Sequence, residues 1–396
     1  MNTAGPRRSR TTWIFSAFLV CTFVLAGSGV AGAAAASRQH ARTHVAMTTV
    51  HVDLNWLSNV EFSGLWTALN KGWFAKAHLK ISGLCSNTSA FNAGCVRPFD
   101  FSNTPEALND NCVHAGGSLC IGFDDSSAIP IARQAGQLLT GVWVGSQKTP
   151  FGFMTCYVPK KPAVNKGCKS NHGKNITSVK QWKGLRIGYQ ADELYVPEIM
   201  LGHSHLSLSN VKPVEVKFDP TLLQSGFVDA YLVFVNNEPI QLKLEHPTVK
   251  TNVIPAYSNG MGAFYADTMW VADSQMSKYK NQIKTFVHLV DQGWKYAMHN
   301  PTPTAKMVIK HYFTDPSSGG GPGGLKQQEL EIAQFAKTLS RDPAGKVDGR
   351  MTLTRWKAIL HALKTYPGNL GGHPIITTNI NPTDCFTNQF APAAAK

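Results

Sequence analysis

Between Val50 and Asn55 apolar and polar residues alternate with the two-residue period of a strand. From Phe62 the apolar positions change to helical spacing at Leu65, Trp66, Leu69 and Trp73. A short strand at Leu79 to Ile81 follows, then an Asn-, Ser- and Gly-rich stretch that predicts an ordered surface insertion. Strands at Leu119 to Gly122 and Leu139 to Val144 enclose a helix from about Ser126 to Ala135. Strands alternating with helices predict a mainly parallel sheet covered on both faces.

A second series of the same kind begins at once. Its strands fall near Phe151 to Val158, Leu185 to Tyr189, Val214 to Lys217 and Ala230 to Val235, with helices near Leu194 to His205 and Thr221 to Gln224. Extended, aromatic-rich segments at Val253 to Tyr257 and Ala263 to Ala272 predict the crossing back to the first sheet. The remainder is helical. Ile283, Phe286, Val287, Val290, Trp294 and Ala297 make one apolar stripe on a helix from Lys278 to Asn300, a core-facing pattern. Two further helices are expected at Gln327 to Leu339 and Thr352 to Leu363. The SSGGGPGG run from Ser317 to Gly324 is a flexible loop, since it has neither the lysine nor the spacing of a phosphate-binding loop.

At 396 residues the chain has room for two ordinary cores. The expected organisation is a leader over residues 1–36, a linker over 37–47, a first lobe over 48–145 with a cysteine-bearing insertion at 82–120, a second lobe over 146–262, and a return to the first lobe over 263–396. Arg7, Arg8 and Arg10 before the apolar run Trp13 to Val30, followed by Ala31 to Ala36, read as an export signal cleaved before Ser37; an uncleaved anchor is the alternative. Cys21 follows Val20, which does not fit a lipid-attachment site.

Composition sharpens this picture. The formal charge of +14 falls to +11 without the three leader arginines, an excess that favours residence near an anionic surface or an anionic solute. The basic residues are scattered and no nucleic-acid motif is present, so no nucleic-acid partner is expected. Seven cysteines follow the leader and none forms C-x-x-C, which excludes a zinc ribbon or a thioredoxin-type site and suits an oxidising compartment. Cys156 and Cys168 are expected to close a Lys- and Pro-rich excursion. Cys85, Cys95, Cys112 and Cys120 would brace the insertion with open connectivity, leaving Cys385 over.

Several ordered segments carry a resemblance: DLNWLSNVEFSGLWTALNKGWFAKAHLKI from Asp53 to Ile81, GVWVGSQKTPFGF from Gly141 to Phe153, GLRIGYQADELYVPEIML from Gly184 to Leu201, and FDPTLLQSGFVDAYLVFVNNEPIQL from Phe218 to Leu242. Together they resemble, in order and across nearly the whole exported part, the extracytoplasmic solute-binding proteins of pyrimidine-precursor, nitrate and sulfonate importers, the NMT1/THI5-like family. The resemblance implies a two-lobed type II periplasmic-binding-protein fold, each lobe a mainly parallel α/β sheet flanked by helices, with a helical C-terminal region. It also implies an ABC-importer permease as partner, a monomer, an exported and periplasmic or extracellular location, and no cofactor. The cysteine cluster of the pyrimidine synthases that share the fold is absent, so their chemistry is not carried over.

Ligands of open α/β sheets sit beyond the carboxyl ends of strands. That rule selects Trp56, Asn59, Glu61 and Phe62 after the first strand and Asp124 after the third. At the first crossing it selects Gln147 and Phe151, and in the second lobe Asp192, Glu193, Tyr195, Asn236, Asn237 and Glu238. Trp56 can stack on a flat ring. Glu193 is the discriminator, because a carboxylate there favours an amine or aminopyrimidine and repels nitrate or a sulfonate. Asp125, its neighbour Asp124 and Glu193 have simpler readings as helix-start acids. His203 and His205 point to different sides of a helix, and neither G-x-S-x-G nor H-E-x-x-H occurs, so neither a metal nor a catalytic site is expected. The expected solute is a flat nitrogen heterocycle of the thiamine-pyrimidine or flavin kind. The alternatives are a small anion and, from another class, a pyrimidine-processing enzyme.

Overall fold

A computed structural model describes residues 46–56, 58–82, 118–159, 167–190, 193–312, 324–366 and 372–392. The leader, Cys85, Cys95, Cys112, most of the glycine-rich loop and Asp192 lie outside the described residues. Residues from Val45 onward form one compact unit.

Among the described residues ten strands make two five-stranded sheets. The first has the order β2-β1-β3-β10-β4, from β1 (Thr48–Leu54), β2 (Leu79–Ser82), β3 (Leu119–Asp124), β4 (Leu139–Ser146) and β10 (Ala266–Ala272). The second has the order β7-β6-β8-β5-β9, from β5 (Phe151–Tyr157), β6 (Arg186–Tyr189), β7 (Lys212–Glu215), β8 (Ala230–Phe234) and β9 (Lys250–Pro255). In each sheet a single strand runs against the rest: β10 pairs antiparallel with β3 and β4, and β5 with β8 and β9. These two are the strands by which the chain arrives from the other sheet, so "mainly parallel" holds and the exceptions mark the crossings.

Helices cover the sheets because their apolar stripes need a partner surface. In the first lobe α1 (Ser63–Asn70) and α2 (Trp73–Lys76) follow β1, and α3 (Ala128–Gln134) follows β3. In the second, α4 (Tyr195–His203), α5 (Thr221–Ser225) and α6 (Glu238–Glu245) follow β6, β7 and β8. After β10 come α7 (Asp273–Met276), α8 (Lys280–His299), α9 (Pro301–His311), α10 (Gly324–Gln334) and α11 (Leu353–Thr365). The stripe on α8 is buried as its spacing requires, against α1. The two helices touch at glycines: a Cβ on Gly293 would stand 2.0 Å from the Gly64 carbonyl oxygen. α6 and α9 carried no clear stripe, since full burial reaches only Leu242 in α6 and Thr304, Ala305 and Val308 in α9.

The crossings are tied together by one side chain. Arg355 of α11 donates to the carbonyls of Gln147 at 2.6 Å, Ala263 at 2.9 Å and Phe264 at 3.0 Å, and its guanidinium lies 3.6 Å above the Tyr265 ring. It therefore holds the outgoing segment, 147–150, and the returning one, 263–265, at the same time.

Cys156 and Cys168 are disulfide-bonded as expected. Cys120 is also disulfide-bonded. Cys385 is a free, buried thiol, and burial raises its pKa to about 12.

Candidate functional site

The carboxyl ends of the two sheets face one another across a cleft in which side chains from both lobes already touch. Trp56, after β1, packs edge-on against Phe218 of the second lobe with ring centroids 4.5 Å apart. Ser127 Oγ and Tyr195 Oη lie 3.1 Å apart across the cleft. From α10, Gln327 Nε2 donates to Asn237 Oδ1 at 2.7 Å, and Gln334 Nε2 donates to the Val235 carbonyl at 2.8 Å.

Two adjoining cavities remain between these contacts and share the Phe234 ring. One is lined by Trp56, Gln190, Glu193, Phe218, Asn237 and Glu238, among others. The other is lined by Glu61, Asn236, Asp267 and Glu331 together with Phe234 and Trp294. With the lobes as close as they are here, each encloses about 20 Å³, room for about one water.

The sequence-selected residues divide into two groups. Trp56, Glu193, Asn237 and Glu238 meet at the first cavity, and Glu61 and Asn236 line the second, beside Asp267. Glu238 also caps its own turn, its carboxylate accepting from the Phe234 N–H at 2.8 Å. Tyr195 stands at the interlobe hydrogen bond with Ser127, and Asp124 ends β3 beside Asp125. The rest serve the scaffold. Asn59 is buried, caps the turn by accepting from the Glu61 N–H at 2.7 Å, and offers its carbonyl to Trp66 Nε1. Phe62 packs between Trp66 and Phe123 in the first core. The Gln147 amide is used at the hinge, donating to the Arg350 and Asp348 carbonyls and accepting from Arg355. Phe151 supports the site from behind, edge-on to both Phe234 and Tyr195.

The lining residues not foreseen include Gln190, Phe218, Asp267 and Glu331. Gln190 and Phe218 do follow strands, and the strand-end rule could have found them. Asp267 sits inside an extended run and Glu331 on a C-terminal helix, where no local pattern singles them out. Asp267 has a positive φ of 47°, a left-handed conformation that outside glycine is adopted mainly by Asn, Asp and His.

The electrostatics are those of crowded acids. Desolvation raises Asp124 to about 7. Asp125 is pushed well up, by burial first and then by the negative potential of Asp124, Glu193 and Asp267. Asp267 is raised by burial, offset in part by its hydrogen bond with Glu61. Tyr195 is held well above its ordinary range by burial and the nearby Asp125. Among the described residues no lysine or arginine lines either cavity, and no group of three His, Cys, Asp or Glu is arranged to hold a metal ion.

Two opposed five-stranded sheets, two crossing strands and a cleft at the strand ends define a two-lobed α/β fold of the periplasmic-binding-protein kind. Residues 161–304 match the family described as NMT1/THI5 like. A solved structure from Methylobacillus flagellatus KT, described as that of the periplasmic sulfonate-binding protein SsuA, is 12% identical, with 87% of this chain and 92% of that one covered at a TM-score of 0.54. A protein from Bordetella bronchiseptica RB50 is 16% identical, with 87% and 95% covered at a TM-score of 0.53. At these identities the likeness is one of fold. No curated protein matches the chain in sequence.

Proposed function

We propose that the chain is the extracytoplasmic solute-binding component of an ABC importer, closing its two lobes on a small flat nitrogen heterocycle. The observation that carries this reading is that Trp56 from one lobe and Glu193 from the other line the same interlobe cavity. An aromatic face and a carboxylate across a closing gap suit a planar ring bearing N–H donors. Closure is favoured only by what the shut form adds in affinity, and residues from both lobes at one cavity supply that difference. The closed form is then the one a permease would receive, at the outer face of the membrane. Among the described residues no helix is long and apolar enough to cross a membrane.

A small anion is the second reading, favoured by the net positive charge and by the sulfonate-binding description of the M. flagellatus protein. The acids on the cavity walls weigh against it. Titration of the purified protein with 4-aminopyrimidines, flavins and alkanesulfonates, followed by tryptophan fluorescence and calorimetry, separates the two. Saturable binding of a heterocycle that weakens at least tenfold in Trp56→Ala and Glu193→Gln is expected; saturation by alkanesulfonates alone would reverse the order. Turnover of a bound heterocycle would replace the carrier role with an enzymatic one.

A further inference from the structure

The cavity beside Asp267 is lined mainly by apolar side chains, and its polar groups are almost all acceptors: Glu61, Asn236, Asp267 and Glu331, with the Ser146 hydroxyl. Asp267 is 6% exposed and faces the cavity, and the side-chain hydrogen bond it makes is to another acid, Glu61. Glu331, 3% exposed, lines the same space and receives the Gln327 and Gln328 amides at 3.2 and 3.1 Å. Asn236 adds a buried amide oxygen, Oδ1, that has no hydrogen-bond partner.

A buried acceptor without a donor costs about 1–3 kcal/mol, and a solute that donates to it removes that cost. Two hydrogen-bonded carboxyls must share a proton, because both cannot be ionised at such close range. A cation can take the place of that proton. Negative charge also comes from Asp124, Asp125 and Glu193 at the neighbouring strand ends, and Glu238 lines the adjoining cavity. Tyr195 is engaged with Ser127. The hinge cations are directed elsewhere, Lys148 onto the Tyr257 ring at 5.5 Å and Arg355 onto Tyr265.

We infer that the solute is a cation with N–H donors, of the amidinium or protonated amino-heterocycle class, and that as the lobes close its charged end reaches from the Trp56 and Glu193 cavity into the adjoining one, between Asn236 and the Glu61–Asp267 pair, displacing the proton the pair shares. This rests on the solute-binding reading above and narrows it to a charge. The exchange is balanced: the carboxyl O–H breaks, its proton passes to the buffer, and an N–H of the cation donates to the carboxylate in its place. Asp125 contributes through its field. Because Asp267 and Asp125 hold their protons above the ordinary carboxyl range, affinity for a permanent cation rises with pH and weakens about tenfold per unit as pH falls below the raised values.

Benzamidine, benzamide and benzenesulfonate provide a test, being similar in shape and positive, neutral and negative. Calorimetry at pH 6.5 in two buffers of different ionisation heat gives both affinity and protons exchanged. Benzamidine is expected to bind at least tenfold more tightly than the other two and to release close to one proton. That release should fall below half in Asp267→Asn and be reduced in Asp125→Asn, with melting temperatures checking that both variants fold. Equal or tighter binding of benzamide or benzenesulfonate overturns the charge assignment, and benzamidine binding without proton release overturns the exchange. A protein that answers the heterocycle and sulfonate titrations but not benzamidine overturns this inference alone. One that answers none of them overturns the solute-binding reading as well.

Discussion

Glu198 offers a test of the electrostatic reasoning away from the cleft. It lies in α4, is 4% exposed, and neither carboxyl oxygen has a hydrogen-bond partner. Desolvation raises its pKa from 4.5 to about 8. Below pH 4.5 the folded and unfolded chains are both protonated there, and the group contributes no pH dependence. Between the two values the unfolded chain has lost a proton that the folded chain keeps, so stability falls as pH rises. At about 1.4 kcal/mol per unit, the interval from pH 4.5 to 7.5 corresponds to an upper limit of about 4 kcal/mol. Local relaxation and water reaching the carboxylate would reduce this to roughly half, ~2 kcal/mol. Glu198→Gln keeps the shape and removes the titration. Urea unfolding at pH 5 and pH 7.5 should find the variant near wild type at the lower pH and about 2 kcal/mol more stable at the higher, or about 3 °C in melting temperature for a chain of this size. A variant with the wild-type dependence on pH would refute the argument, because the penalty would then not reside in this carboxyl.

Other expectations follow from packing and covalent structure. Gly293→Val drives a side chain into the Gly64 backbone where α1 and α8 cross; a loss of about 3 kcal/mol or more in chemical denaturation is expected. Reducing Cys156–Cys168, or replacing both cysteines with serine, opens a loop with a sequence separation of 12 and should cost about 3 kcal/mol on the loop-entropy scale. Thr352→Ala removes the side-chain cap that accepts from the Arg355 N–H at the start of α11, for about 1 kcal/mol. Arg355→Met releases both crossing segments together; small-angle scattering should show a wider distribution of lobe separations, with each lobe's circular dichroism unchanged.

Much of the architecture is readable from the chain because it depends on local periodicity. Alternation at Val50 to Asn55 and the stripe from Ile283 to Ala297 state which faces must be buried, and β1 and α8 bury those faces. The glycine pair at the α1–α8 crossing was not legible, because it depends on which two helices meet. Trp56, Glu61, Glu193, Asn236, Asn237 and Glu238, which the strand-end rule selected, line the two cavities, since backbone topology fixes where such loops emerge. The rule also selected Asn59, Phe62 and Gln147, whose side chains the fold uses for a cap, a core contact and a hinge anchor. A loop position says where the main chain goes, and a short bond to a neighbour decides where the side chain points.

The sequence by itself determined the alternation of elements, the two-lobed α/β class and the Cys156–Cys168 pairing, all consequences of near-neighbour pattern. Only the tertiary structure brought Asp267 and Glu331, 206 and 270 positions beyond Glu61, to one cavity wall with it. The charge of that cavity depends on groups converging through space from strands, loops and a C-terminal helix. A net positive chain can therefore enclose an acidic pocket, because net charge counts residues whereas a pocket responds to those within a few ångströms of it.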